Sequence, residues 1–227
     1  MTSKPLIRSI AATTHGRYLV DAPSTGRPLP LLVGFHGYAE TAEIHLDNLR
    51  RIPASAEWLL AAVQALHPFY AKKSGNVVAC WMTSLDREHA MRDNSNYVGA
   101  VVSQIGAEHS RNGCLVYAGF SQGVAMACRA AAWSGHPCHA LLLLCGNIPE
   151  ELKEDRTIRF PPILLARGRT DDWYTREKMD LDLEFLNARH VPVQPLVFEG
   201  GHAWSEEYLQ AAGAFLRRIA DPGARRE

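Results

Sequence analysis

The stretch Cys114-Leu115-Val116-Tyr117-Ala118-Gly119-Phe120-Ser121-Gln122-Gly123-Val124-Ala125-Met126-Ala127-Cys128 decides the reading of this chain. A short apolar run, strand-like over 114–119, passes straight into an alanine-rich segment with helical spacing over 122–133. Between them stands Gly119-Phe120-Ser121-Gln122-Gly123, a G-x-S-x-G pattern at a strand-to-helix junction. A serine at so sharp a turn takes up strained backbone geometry, and the glycines on either side remove side chains that would collide there. The turn lifts the Ser121 hydroxyl clear of the sheet. A serine that merely capped the next helix would not need both glycines.

Working outward, the same grammar repeats. Strands are expected over 7–12, 17–22, 29–35, 57–63, 114–119, 140–144, 163–166 and 193–198. Leu141-Leu142-Leu143-Leu144 and Ile163-Leu164-Leu165 do not alternate with polar residues, which places them in the middle of a sheet covered on both faces. Helical periodicity falls between the strands, over 41–51, 86–108, 122–133, 175–188 and 205–219. The segment 67–76 reads as a long loop whose Phe69 and Tyr70 edge a cleft. The pattern predicts one α/β domain over 1–227, a mostly parallel sheet between helices, with a fraying tail at 221–227. Connections are short and leave no insertion for a lid domain.

A serine hydroxyl is a weak nucleophile until a base takes its proton. His202 lies in Glu199-Gly200-Gly201-His202, a glycine-rich loop after the last predicted strand, where the order Ser, acid, His puts the base. The imidazole needs a carboxylate on its other nitrogen to hold the tautomer and stabilise the imidazolium. Asp171 and Asp172 both follow the strand at 163–166, and spacing does not separate them. Charge developing on a carbonyl oxygen calls for fixed donors. The backbone amides of Gln122, at the start of the helix, and of Tyr38, after Phe35-His36-Gly37, are the expected pair. Trp81 and Trp204 sit near loops of the same edge and are read as lining a substrate pocket.

Together, Phe35-His36-Gly37, Gly119-Phe120-Ser121-Gln122-Gly123, Gly168-x-x-Asp171 and Gly201-His202 resemble the phospholipase/carboxylesterase family of small α/β hydrolases, which includes acyl-protein thioesterases. The match runs over about residues 29–208. The resemblance implies the α/β-hydrolase fold, a cofactor-independent serine esterase, and Ser121, Asp171 and His202 as its triad. It favours Asp171, because the family's acid lies three residues after the glycine. This chain departs from the family at Arg167-Gly168, where His-Gly is usual, and at Trp173-Tyr174, where a small apolar pair is usual. Both changes alter the pocket and leave the triad, so the thioesterase substrate does not transfer. Dienelactone hydrolases carry Cys at the elbow, and Ser121 argues against that chemistry.

Composition narrows the alternatives. The 24 basic and 24 acidic residues balance without blocks of one sign, which argues against nucleic acid and points to a small acyl ester as partner. No apolar run reaches the length of a membrane span or of a signal-peptide core, and the five cysteines lie in apolar contexts without C-x-x-C spacing. A cytoplasmic protein with reduced thiols is expected. No H-E-x-x-H, Walker or G-x-G-x-x-G pattern appears, so neither a metal nor a nucleotide cofactor is expected. The expected reaction is hydrolysis of small to medium acyl esters through an acyl-enzyme. Thioester or lysophospholipid hydrolysis by the same triad is one alternative, and a non-catalytic binding protein on this scaffold is the other. The sequence assigns no oligomeric state.

Overall fold

The structure is a computed structural model and describes residues 4–221. Chain order is β1 (Tyr18–Asp21), β2 (Leu29–Phe35), α1 (Ala42–Arg50), a 3₁₀ turn (Ser55–Glu57), β3 (Leu59–Val63), β4 (His67–Tyr70), β5 (Val77–Cys80), α2 (Arg87–Glu108) and β6 (Arg111–Phe120). It continues through α3 (Gln122–Trp133), β7 (Ala140–Leu144), α4 (Glu150–Glu154), β8 (Ile163–Gly168), α5 (Arg176–Ala188), β9 (Val193–Phe198) and α6 (Glu206–Ala220). Seven strands form one sheet in the order β1-β3-β2-β6-β7-β8-β9. All neighbours are parallel except β1, which runs antiparallel to β3 at the edge.

Both faces of the sheet are buried, which is why its central strands carry unbroken apolar runs. Alternate residues serve alternate layers: Leu31, Val33 and Phe35 of β2 pack with α2, α3, α4 and α5, while Leu32 faces α1 and α6. Helix α6 shows how the sequence sets this up. Tyr208, Leu209, Ala212, Phe215 and Leu216 recur on one face and are buried, and the Ser205 hydroxyl caps the start by accepting the Tyr208 amide at 3.1 Å. Truncating Leu216 to alanine would cost about 2–5 kcal/mol. Among the described residues no helix is long and apolar enough to cross a membrane.

Two expectations are corrected here. Residues 7–12 form no strand: Ile7 and Ile10 are 89% and 93% exposed, and the sheet already ends at β1. A hexapeptide with no neighbouring strand to bond cannot hold an extended ladder. The segment 67–76 is no simple loop, because His67–Tyr70 pairs antiparallel with Val77–Cys80 as a separate two-stranded hairpin. Its turn closes through the Ala71 amide on the Asn76 carbonyl at 2.9 Å. The short helix α4 is an addition that the sequence did not signal. Of the tail expected to fray at 221–227, only Asp221 is described, closing α6, and 222–227 lie outside the described residues.

Candidate active site

The carboxyl ends of the parallel strands carry the chemistry-bearing loops: 36–38 after β2, Ser121 after β6, Asp171 after β8 and His202 after β9. Ser121 has φ 54° and ψ −120°, a conformation that L residues rarely hold, and its amide is tied to the Leu144 carbonyl at 2.9 Å. The flanking glycines permit it. A Cβ at Gly123 would lie 2.0 Å from the Phe35 carbonyl oxygen, and one at Gly119 would lie 2.3 Å from the oxygen of Gly123.

His202 Nε2 stands 2.8 Å from Ser121 Oγ, and its Nδ1 stands 3.0 Å from each oxygen of Asp171. With Nδ1 protonated toward the carboxylate, Nε2 is left as the acceptor facing the hydroxyl. The structure places Asp171, not Asp172, against the imidazole: Asp171 is buried and Asp172 is exposed. Burial pulls the Asp171 carboxyl up. The amides of Tyr174 and Trp173 at 3.0 and 2.9 Å, with the Cys145 thiol and His202, outweigh it and hold the group below its ordinary range. Tyr174 is itself anchored, since its hydroxyl donates to the buried Asp182 at 2.8 Å.

The amides of Tyr38 and Gln122 donate to no acceptor among the described residues. The loop that carries Tyr38 comes close to Ser121, for a Cβ at Gly37 would lie 3.2 Å from Ser121 Cβ. Two side chains that the sequence did not mark, His36 and Glu40, hold this loop, and that of Gln122 holds the Trp81-Met82 segment beside it. His36, buried and kept neutral chiefly by that burial, accepts the Ala65 amide on Nε2 at 3.1 Å and reaches the Gly37 carbonyl with Nδ1 at 2.7 Å. Glu40 accepts the Gly37 amide at 2.7 Å. Burial raises the Glu40 carboxyl, offset in part by that amide and by the field of His202. The Gln122 side chain accepts the Trp81 amide and donates to the Met82 carbonyl, both at 2.9 Å. Sequence offers only proximity to the motifs as a signal for these roles.

Of the tryptophans expected to line a pocket, Trp81 is buried and Trp204 is half-buried. Trp81 is 1% exposed; its indole donates to the His36 carbonyl at 2.9 Å and meets Phe35 edge-on, so it supports the loop from beneath. Trp204 packs between His45, Phe120 and Tyr208 in the layer under α1 and α6. The exposed rings on the loops beside Ser121, Asp171 and His202 are those of Tyr38 and Trp173. Tyr38 also meets Phe69 of the hairpin, ring centres 5.5 Å apart.

Cys145, Asp171 and His202 form the one trio of potential metal donors found among the described residues, all within 4.8 Å. The donor set suits an ion poorly. Burial and the neighbouring carboxylate push the Cys145 thiol up to about 12, so it stays protonated, and the other two groups are already bonded to each other.

No family model and no curated protein sequence matches the chain. Solved structures do. Esterase PE8 superposes with a TM-score of 0.73 at 22% identity, covering 90% of this chain and 99% of the other. Acyl-protein thioesterase 2 of Zea mays gives 0.71 at 20% identity, over 90% and 99%. A phospholipase/carboxylesterase from Dyadobacter fermentans, which bears the name of the family the motifs resemble, gives 0.66 at 17% identity over 91% and 99%. This chain has the α/β-hydrolase fold. At such identities the likeness carries the fold and leaves chemistry to the site. Among the described residues no large lid covers the carboxyl edge of the sheet.

Proposed function

We propose that the chain is a serine hydrolase of carboxylic esters with Ser121 as nucleophile, His202 as base and Asp171 as its orienting acid. The observation that carries this is the unbroken row from Asp171 through both nitrogens of His202 to Ser121 Oγ, 3.0 and 2.8 Å, beside two undonated amides. As Oγ attacks the carbonyl carbon, its proton passes to His202 Nε2 and the electron pair moves to the carbonyl oxygen, which the Tyr38 and Gln122 amides receive. His202 returns the proton to the departing alcohol. Water then repeats the sequence against the acyl-enzyme, releasing the acid and restoring Ser121. No other group is required for the proton balance.

The open edge and the rings of Tyr38 and Trp173 support small to medium acyl groups. The same attack opens thioesters and lysophospholipids, and the neighbouring thioesterase fold keeps that substrate class in the assay. The five cysteines remain thiols, which supports a reducing, cytoplasmic setting. The test is turnover of p-nitrophenyl esters of rising chain length beside matched thioesters. Short and medium esters are expected to be preferred, with a loss of about 10⁴–10⁶ in kcat for Ser121→Ala. Preference for the longest chains contradicts the open-cleft reading, and full turnover by Ser121→Ala removes Ser121 from the mechanism.

A further inference from the structure

The chain is neutral overall, with 24 basic and 24 acidic residues, yet its charge is unevenly spent. At the amino-terminal ends of β8 and β9 a cavity of about 450 Å³ is lined by Arg156, Arg159, Arg189 and His190 with apolar walls that include Phe160 and Val191, and no acidic side chain lines it. None of the three arginines forms a salt bridge within the described residues. Arg189 is held in place: its guanidinium donates to the carbonyls of Lys153 at 2.7 Å and Asp155 at 3.0 Å and lies 4.9 Å from the Phe185 ring centre. Arg159 is steadied by the Arg156 carbonyl at 2.8 Å. The adjacent Asp155 carboxylate accepts the Thr157 amide and hydroxyl at 2.8 and 2.6 Å and feels the charge of Arg189 only through space, without an ion pair.

Three arginines line one concavity with no acidic side chain among its lining, and a bound anion can accept from their guanidiniums. Guanidinium forks match phosphate oxygens in geometry and charge. The apolar wall suits a ring or short alkyl body, and the volume falls in the range of small-molecule sites, about 300–1,000 Å³. We propose that this cavity binds an organic phosphate, its anionic end on Arg156, Arg159 and Arg189 and its apolar body against Phe160 and Val191. Ser121, Asp171 and His202 lie at the opposite ends of the strands, about 20 Å away at ~3.3 Å per residue over six residues of β8 or β9. The site is separate from the ester chemistry and does not rest on it.

The probes are inorganic phosphate, pyrophosphate, ADP and adenosine, titrated by calorimetry against the full chain. Affinity is expected to rise from phosphate through pyrophosphate to ADP, with none for adenosine. The double variant Arg156→Gln/Arg159→Gln, both positions exposed, is expected to weaken ADP at least about tenfold while melting within a few degrees of the parent. Ser121→Ala is expected to bind ADP as the parent does, whatever its effect on ester turnover. No heat with any anion, adenosine binding as well as ADP, or an unchanged Kd in the double variant overturns the proposal. So does binding to phosphatidate vesicles but not to soluble phosphates, which assigns the arginines to a lipid surface.

Discussion

Substitution of His45 makes the sharpest stability prediction. This residue of α1 is fully buried, neither ring nitrogen has a hydrogen-bond partner among the described residues, and its ring stands edge-on to Trp204. Burial, aided by the nearby His36, lowers its pKa from 6.5 to about 3. A group whose folded pKa is depressed in this way stays neutral in the folded chain while the unfolded chain takes up its proton below pH 6.5. Stability is therefore intact above about 6.5 and lost as pH falls toward 3, at up to ~1.4 kcal/mol per pH unit. Between pH 7 and pH 5 the loss is about 2 kcal/mol, a large share of a typical 5–15 kcal/mol. His36 acts in the same direction, while Asp182 and Glu40, raised by burial, act in the opposite one. Comparing urea unfolding of the parent and His45→Leu at both pH values cancels these shared contributions. The variant is expected to lose about 2 kcal/mol less on acidification, and to match or exceed the parent at pH 7 because two unpaired polar atoms are gone. Parallel stability curves for the two proteins would refute the reasoning.

Other consequences are more local. Asp171→Asn should lower kcat by about 10³–10⁴ while Asp172→Asn stays near parent activity, read with a p-nitrophenyl ester. For Glu40, glutamine keeps an acceptor for the Gly37 amide and should cost under about tenfold in kcat, whereas alanine releases the Tyr38 loop and should cost about 10- to 100-fold with KM little changed. Gly123→Ala should fail to give a cooperative melt, since its new methyl meets the Phe35 carbonyl at 2.0 Å.

Central strands buried on both faces were the most legible. The strands at 29–35 and 140–144 and the helix at 122–133 appear with the bounds their apolar patterns indicate, as does the edge strand at 193–198. The misread segments are short and near the edge: Ile7 and Ile10 look like strand residues but meet no partner, and the 67–80 hairpin contains a proline and little alternation. At the site, glycines and order in the chain brought Ser121, Asp171 and His202 to one edge, and hydrogen-bond geometry chose between two adjacent aspartates that spacing left equal. Hidden from the sequence was everything that depends on which way a side chain turns. Trp81 points into the core, and Glu40 and His36 bond backed-up loop amides and carbonyls rather than ligand.

Labelling with a fluorophosphonate probe, followed by peptide mapping, tests the central claim most directly, because the probe bonds only to a serine whose proton is being withdrawn. One adduct is expected, on the peptide that carries Ser121, abolished by Ser121→Ala and strongly slowed by His202→Ala. A folded chain that takes up no probe, or takes it up at another residue, contradicts the account.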